Sequence, residues 1–144
     1  MPITINGSGT VTGISAGGLP DSCITTDDIA ANAVTYAKIG TTEQGQLCKA
    51  WVNFNGTGTV AIRASYNVSS ITDNGVGDYT VNFTTALADA NYSTVITTGT
   101  SATTDANCPQ IRTDLMAASS ARVYMKGTNA LFYDVTSLQV AIFR

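Results

Sequence analysis

The chain has 144 residues, which suits one core-forming domain with an additional segment. Only 12% of the residues are charged, about half the usual fraction, and the net charge is −3 with the basic residues scattered, which argues against nucleic-acid binding. The hydrophobic fraction of 44% argues against disorder, and no run of about 18 apolar residues predicts membrane insertion.

Residues 1–20 are rich in glycine and threonine and carry spaced aliphatic side chains. Two short strands are predicted, at residues 3–5 and 10–12, with glycine-containing turns beside them. The segment is too small to bury its own apolar groups, so we interpret it as an N-terminal attachment segment. It lacks the basic region and the apolar run of a secretory signal, and we therefore expect synthesis in a cytoplasm.

Residues 21–46 contain a ten-residue repeat, in which residues 21–30 align with residues 31–40. The pattern predicts a short helix over residues 27–39, either continuous or broken in the middle. Such a helix is marginal alone in water, so its apolar stripe must pack either on the β domain or on copies of itself. We favour copies, which would make residues 21–46 a helical trimerisation and connector segment. The residues predicted to form the contact are Ile24, Ile29, Val34, Tyr36 and Ile39.

Residues 47–144 show the period of two that is typical of strands with one buried face. The alternation is clearest over residues 60–68 and 79–83, and turn residues at 55–58 and 73–78 predict two hairpins. About seven short strands predict an antiparallel β-sandwich or jelly-roll-like knob, so the chain is expected to be mostly β. Tyr66, Tyr79 and Phe83 are predicted in its core. Trp51 lies on the opposite phase from its neighbours, either on the other face of a sandwich strand or at a subunit contact.

Catalytic chemistry has little support in the sequence. There is no histidine, so a Ser-His-Asp or Cys-His nucleophile is excluded. Most carboxylates lie in predicted turns, where such groups usually bond their own backbone. The three cysteines show no Cys-x-x-Cys spacing, and we expect neither a metal site nor a cofactor. The cysteines are interpreted as reduced thiols, with an inter-chain disulfide as the alternative in an oxidising exterior.

Two stretches resemble bacteriophage tail-fibre proteins. Residues 24–39 are similar to the Ala-Val-Thr-x-Ala-Lys-Ile units of fibre shafts, read here over residues 33–39. Lys-Ala-Trp-Val-Asn-Phe-Asn-Gly-Thr-Gly-Thr at residues 49–59, its continuation over residues 62–73 and Gly-Asp-Tyr-Thr-Val-Asn-Phe at residues 77–83 resemble the distal domain of many phage and prophage tail fibres. Residues 90–92 and 139–143 are similar to the same domain.

The resemblance implies a non-enzymatic structural protein of the virion tail, made in the host cytoplasm. It implies a homotrimer that is attached by its N-terminus to a baseplate or tail protein, with residues 47–144 facing the host. We expect the ligand to be a host-surface glycan that is bound by polar loops. The candidate receptor-binding residues in those loops are Asp105, Asn107, Asn129 and Tyr133.

Two other functions stay open at the level of sequence. The chain could be a purely structural adaptor or decoration protein of the virion, with no host ligand. It could also degrade carbohydrate as a tail spike does, with a carboxylate pair built between subunits, although no such pair is indicated by the sequence.

Overall fold

The structure is a computed structural model that describes residues 4–5, 11–12, 27, 29–99, 108–127 and 129–144. The chain divides into two compact units, Met1–Gly40 and Thr41–Arg144. Within the described residues there are ten strands and one short α-helix, so the prediction of a mostly β protein is confirmed.

The first unit contains one small two-stranded sheet. β1 (Thr4–Ile5) pairs with β2 (Val11–Thr12) in antiparallel register, and the two strands lie within the two predicted short strands. Further along, the chain makes a turn in which the Ala33 N–H donates to the Ala30 carbonyl at 2.9 Å. A single 3₁₀ turn follows at Tyr36–Lys38.

The short helix predicted over residues 27–39 is not present in the part of that range that the structure describes. Asn32 has a φ of 64°, in the left-handed region that asparagine tolerates and a helix interior excludes. Thr35, just before the 3₁₀ turn, is extended at ψ 164° and its side chain caps nothing. The described backbone therefore has two separate turns in place of a continuous helix, with the break at Asn32.

The second unit begins with α1 (Thr41–Gln46) and continues as eight strands in two antiparallel sheets of four. Sheet I has the order β4-β3-β10-β7, and sheet II has the order β5-β6-β9-β8. The strands of sheet I are β3 (Cys48–Asn55), β4 (Ala61–Tyr66), β7 (Ser93–Gly99) and β10 (Ser137–Phe143). Those of sheet II are β5 (Val68–Gly75), β6 (Asp78–Phe83), β8 (Cys108–Ile111) and β9 (Ser120–Lys126).

One hydrophobic core joins the inner faces of the two sheets, which gives the unit its β-sandwich-like character. The strands β3, β6, β9 and β10 each place alternate side chains into it, with burial that follows the period of two. Phe54 of sheet I and Tyr79 of sheet II meet edge to face, with ring centroids 5.2 Å apart. Tyr79 and Phe83 are buried, as predicted, and both predicted hairpins form.

A sharp corner separates β4 from β5, where the sequence predicted one strand over residues 60–68. Asn67 has a φ of 54°, and its side chain satisfies backbone groups of two neighbouring segments. Its Nδ2 donates to the carbonyls of Lys49 and Thr85, each at 3.1 Å, while its Oδ1 accepts from the Thr85 N–H at 2.7 Å. The chain therefore passes from sheet I to sheet II at this residue.

The prediction that Tyr66 lies in the core is wrong, because its side chain is 58% exposed. Two consecutive residues of β3 pair with Ala64 and Ile62, so Arg63 is an extra residue in β4. A bulge of one residue reverses which side of the sheet the following side chains occupy. Tyr66 consequently pairs with Trp51 and lies with it on the outer side of sheet I.

A hydrogen-bond network closes one end of the second unit. The Tyr79 hydroxyl lies 2.6 Å from Asp134 Oδ1 and 2.9 Å from the Gly56 carbonyl oxygen. The Gly77 N–H also donates to Asp134 Oδ1, at 2.7 Å. Burial, followed by the bond to the Asp134 carboxylate, raises the pKa of Tyr79 well above its ordinary value.

The raised pKa of Tyr79 predicts an alkaline loss of stability. A group whose pKa is higher in the folded state stabilises fully below its unfolded pKa, here about 10, and that contribution is lost as the pH rises further. We expect the unfolding free energy to fall above about pH 10. Tyr79→Phe should make the fall shallower than in the wild-type chain, as measured by urea titrations across that range. The matched comparison is Tyr66→Phe, which removes an exposed phenol, and equal slopes in the two variants would contradict the assignment.

Candidate functional site

The outer face of sheet I carries two parallel rows of side chains, whose members lie two residues apart on each strand and therefore point to the same side. The strand registers align four residues in each row, one from every strand of the sheet. We call the first the apolar row, which consists of Tyr66, Trp51, Ala141 and Val95. We call the second the amide row, which consists of Ala64, Asn53, Gln139 and Thr97.

The large side chains of the apolar row are more exposed to solvent than is usual for apolar residues. Tyr66, Val95 and Trp51 are 58%, 51% and 40% exposed, respectively, although all three are large and apolar. Val52, next to Trp51, and Val140, next to Ala141, point to the opposite side and are buried in the core. Contiguous exposed apolar side chains are typical of a contact surface rather than of a solvated sheet face.

The amide row supplies uncharged hydrogen-bonding groups next to these rings. Thr97 Oγ1 donates to Gln139 Oε1 at 2.9 Å, and Gln139 Nε2 donates to Ser137 Oγ at 2.7 Å. Ser137 Oγ donates in turn to Asn53 Oδ1, at a longer distance of 3.4 Å. This chain of bonds orients the Gln139 amide and holds it across the sheet face.

Arg63, the residue added by the bulge, lies at the rim of this face. Its guanidinium donates to Asn53 Oδ1 at 3.3 Å and to the Thr136 carbonyl oxygen at 2.5 Å. These contacts fix the Asn53 amide with its oxygen turned towards the rim. Among the described residues, the oxygen of the Asn53 amide is the atom that is bonded, and no acceptor pairs with its Nδ2.

A shallow depression of about 290 Å³ lies where the two rows meet. Its surface side chains come from β3, β7 and β10, and the backbone of the same strands forms its floor. The residues of the two rows that line it are Trp51, Val95, Ala141, Asn53, Gln139 and Thr97. None of these side chains is charged.

The outer face of sheet II is different, because its polar groups bond one another. Arg122 forms a two-pronged ion pair with Asp78, with N to O distances of 2.8 and 2.7 Å. The Asn82 amide donates to the hydroxyls of Ser70 and Thr72, at 3.1 and 2.9 Å. Such a face is satisfied in water, so the apolar row distinguishes sheet I as the candidate binding face.

Three of the predicted trimerisation residues are exposed to solvent within one chain. Ile29, Val34 and Tyr36 are 47%, 61% and 53% exposed, and Ile39 is half-buried. Ile24 lies outside the described residues. No residue that the structure describes between positions 27 and 40 is buried.

The predicted receptor-binding loops are only partly described, since Asp105 and Asn107 lie outside the described residues. Asn129 and Tyr133 are brought together, because Asn129 Nδ2 donates to Tyr133 Oη at 2.6 Å. Asn129 Oδ1 also accepts from the Leu131 N–H at 3.1 Å. The amide nitrogen and the amide oxygen of Asn129 therefore both form hydrogen bonds that stabilise the loop.

Comparison with protein-family models, with curated proteins and with solved structures finds no match. Within the described part of the chain, no three His, Cys, Asp or Glu side chains form a group that could hold a metal ion. No helix in that part is both long and apolar enough to cross a membrane.

Sequence reasoning singled out Trp51 but missed its neighbours on the face. Val95 and Thr97 alternate with Thr94 and Ile96 in β7, a period of two that could have placed them on one side of a strand. Their alignment with Trp51 depends on β10, which pairs with both β3 and β7. No pattern within a short stretch of the sequence predicts that β10 pairs with both β3 and β7.

Proposed function

We propose that the chain is a tail-fibre protein of a bacteriophage. In this proposal it is a homotrimer that attaches to a baseplate or tail protein through its N-terminal segment and binds a host-surface glycan through its C-terminal domain. It would be made in the host cytoplasm and act in the virion tail, as a structural protein and not as an enzyme.

The observation that carries the proposal is the exposure of apolar side chains in the first unit. Ile29, Val34 and Tyr36 present about half or more of their surface to water within one chain. The apolar groups of a short segment need a partner, because exposed contiguous hydrocarbon is unfavourable in water. Identical copies of the same segment supply that partner with no further protein, and they fit the shaft-like sequence of residues 24–39.

In the proposed trimer, three linked C-terminal domains bind the same host surface together. Each domain carries one exposed face with an apolar row and an amide row, which is suited to a weak contact. Linked copies convert weak contacts into strong attachment when several engage one surface, with gains of about 10² to 10⁴.

We predict that Ile29→Ser, Val34→Ser and Tyr36→Ser, combined in one variant, will convert the trimer into a monomer. The reason is that each serine removes apolar surface from the proposed contact. Sedimentation of the full chain measures the change, and binding to immobilised bacterial surface polysaccharides should fall by about 10²-fold or more as avidity is lost.

The control is a variant with Val76→Ser and Leu115→Ser, two side chains of the second unit that are 61% and 40% exposed. It should sediment and bind as the wild type does. A triple variant that still sediments like the wild-type chain would contradict the proposed contact.

A structural adaptor or decoration protein is the second candidate, and the apolar row is the observation that favours it. Such a row could equally cover a protein surface of the virion. A wild-type trimer that binds none of the polysaccharides would favour the adaptor.

A further inference from the structure

Aromatic and amide groups meet in one small depression on the outer face of sheet I. Trp51 contributes a half-exposed indole, and Asn53, Gln139 and Thr97 lie in the adjacent row. The indole offers an apolar surface, while the amides and the hydroxyl offer both donors and acceptors. A ligand that fits must have an apolar face and a polar edge.

We propose that this depression binds one neutral pyranose ring, stacked on Trp51. The inference rests on the proposed function, because it places the glycan that the domain would bind. A pyranose has a face of C–H groups, which can stack on the apolar row. It also has a rim of hydroxyls, which can form hydrogen bonds with the amide row. Convergent polar groups beside an apolar surface are the usual means by which a site orients a small ligand.

The available hydrogen-bonding groups define how the ring is held. Gln139 uses one Nε2 hydrogen on Ser137, which leaves the second hydrogen to bond a ligand. Asn53 Nδ2 offers two donors that no described residue accepts, because its oxygen is the atom engaged by Arg63 and Ser137. Hydroxyl oxygens of the sugar accept from these amides.

Charge and size favour a neutral monosaccharide unit over other occupants. No charged side chain lines the depression, and the Arg63 guanidinium at the rim is already held by Asn53 Oδ1 and the Thr136 carbonyl oxygen, so the lining favours a neutral ligand. The volume of about 290 Å³ lies just below the range for ligand pockets, about 300 to 1,000 Å³. A single ring fits this space, with the remainder of a glycan extending along the sheet.

Trp51 is the only tryptophan in the chain, so its fluorescence reports directly on this site. The experiment titrates the full-length protein with the methyl pyranosides of glucose, galactose, mannose and N-acetylglucosamine. At least one should shift the emission saturably towards shorter wavelength, because a stacked ring excludes water from the indole.

Gln139→Ala keeps the fluorophore and removes the central amide. It should weaken the same sugar by about tenfold, which is the loss of one good hydrogen bond. Thr80→Ala, on the outer face of sheet II, is the matched control and should bind as the wild type does. Equal affinity in Gln139→Ala and the wild type would overturn the proposed geometry.

Two further results would also overturn the site. The first is an emission spectrum that none of the four pyranosides changes. The second is an emission shift produced by diluting the protein without sugar, which would show that a second copy of the chain covers Trp51.

Polysaccharide binding by wild type and Trp51→Ala, measured alongside, separates this inference from the proposed function. Equal polysaccharide binding by the wild type and Trp51→Ala would contradict the site at Trp51 but would be consistent with a glycan-binding fibre. The opposite outcome is a saturable emission shift with a pyranoside in a protein that is monomeric and binds no polysaccharide. It would support the site at Trp51 and contradict the fibre.

Discussion

Replacing Phe54 by alanine is expected to lower the unfolding free energy of the second unit by about 4 kcal/mol, the usual size for a buried phenylalanine. Phe54 is fully buried and joins the two sheets through its edge-to-face contact with Tyr79. The substitution therefore removes apolar burial and leaves a cavity in the core between the two sheets. Urea unfolding at a fixed protein concentration measures the change, since any oligomer makes stability depend on concentration.

Tyr66→Ala is the matched control for this prediction. The two aromatic rings belong to the same hairpin, but Tyr66 is largely exposed and loses only its pairing with Trp51. The expected loss of unfolding free energy is below about 1 kcal/mol, the range of a cross-strand pair. A loss in Tyr66→Ala as large as in Phe54→Ala would contradict the bulge that places Tyr66 on the outer face.

Gly77→Ala is expected to destabilise the second unit by about 3 kcal/mol or more. Gly77 has a φ of 65°, where a Cβ costs about 1 to 2 kcal/mol. A Cβ there would also lie 2.7 Å from the Tyr133 carbonyl oxygen and 2.8 Å from the Met125 carbonyl oxygen. Both are backbone atoms that cannot rotate away, and forced overpacking adds about 1 to 3 kcal/mol. The same urea titration measures the sum.

Gly58→Ala separates the two contributions. Gly58 has nearly the same φ, 63°, but a Cβ there meets nothing within 4 Å. Its substitution should therefore show only the backbone cost of about 1 to 2 kcal/mol. If the two alanine variants were equally stable, the close packing of the Gly77 turn against Tyr133 would be wrong.

Local sequence patterns predicted much of the second unit. The alternation of Tyr79, Val81 and Phe83 marks β6 because that strand is central in sheet II and has one buried face. The turn residues at 55–58 and 73–78 predicted the two hairpins, since the positive φ at Gly58, Gly75 and Gly77 is favoured by glycine.

The same patterns failed where one residue changed the geometry. The extra residue Arg63 reverses the side on which Tyr66 lies, and the left-handed Asn67 moves the chain to the other sheet. Neither the bulge nor the corner changes the alternation of apolar and polar residues, so the sequence predicted one strand over residues 60–68. In the first unit, the left-handed Asn32 interrupted a repeat that residue types alone made helical.

The candidate binding face could be predicted only in part. Trp51 stood out because its phase opposed that of Val52 and Phe54, and the structure places it on the exposed face. Val95 and Gln139 join it through strands that lie more than 40 residues away along the chain, as the register of β10 shows. Pairings at such separations are set by the packing of the two sheets and not by local sequence.

The most direct test of the account is the mass of the full-length chain in solution, measured by sedimentation equilibrium at micromolar concentration. Burial of Ile29, Val34 and Tyr36 between copies predicts a species with three times the mass of one chain. A single species with the mass of one chain would leave those side chains in water and would contradict the proposed fibre.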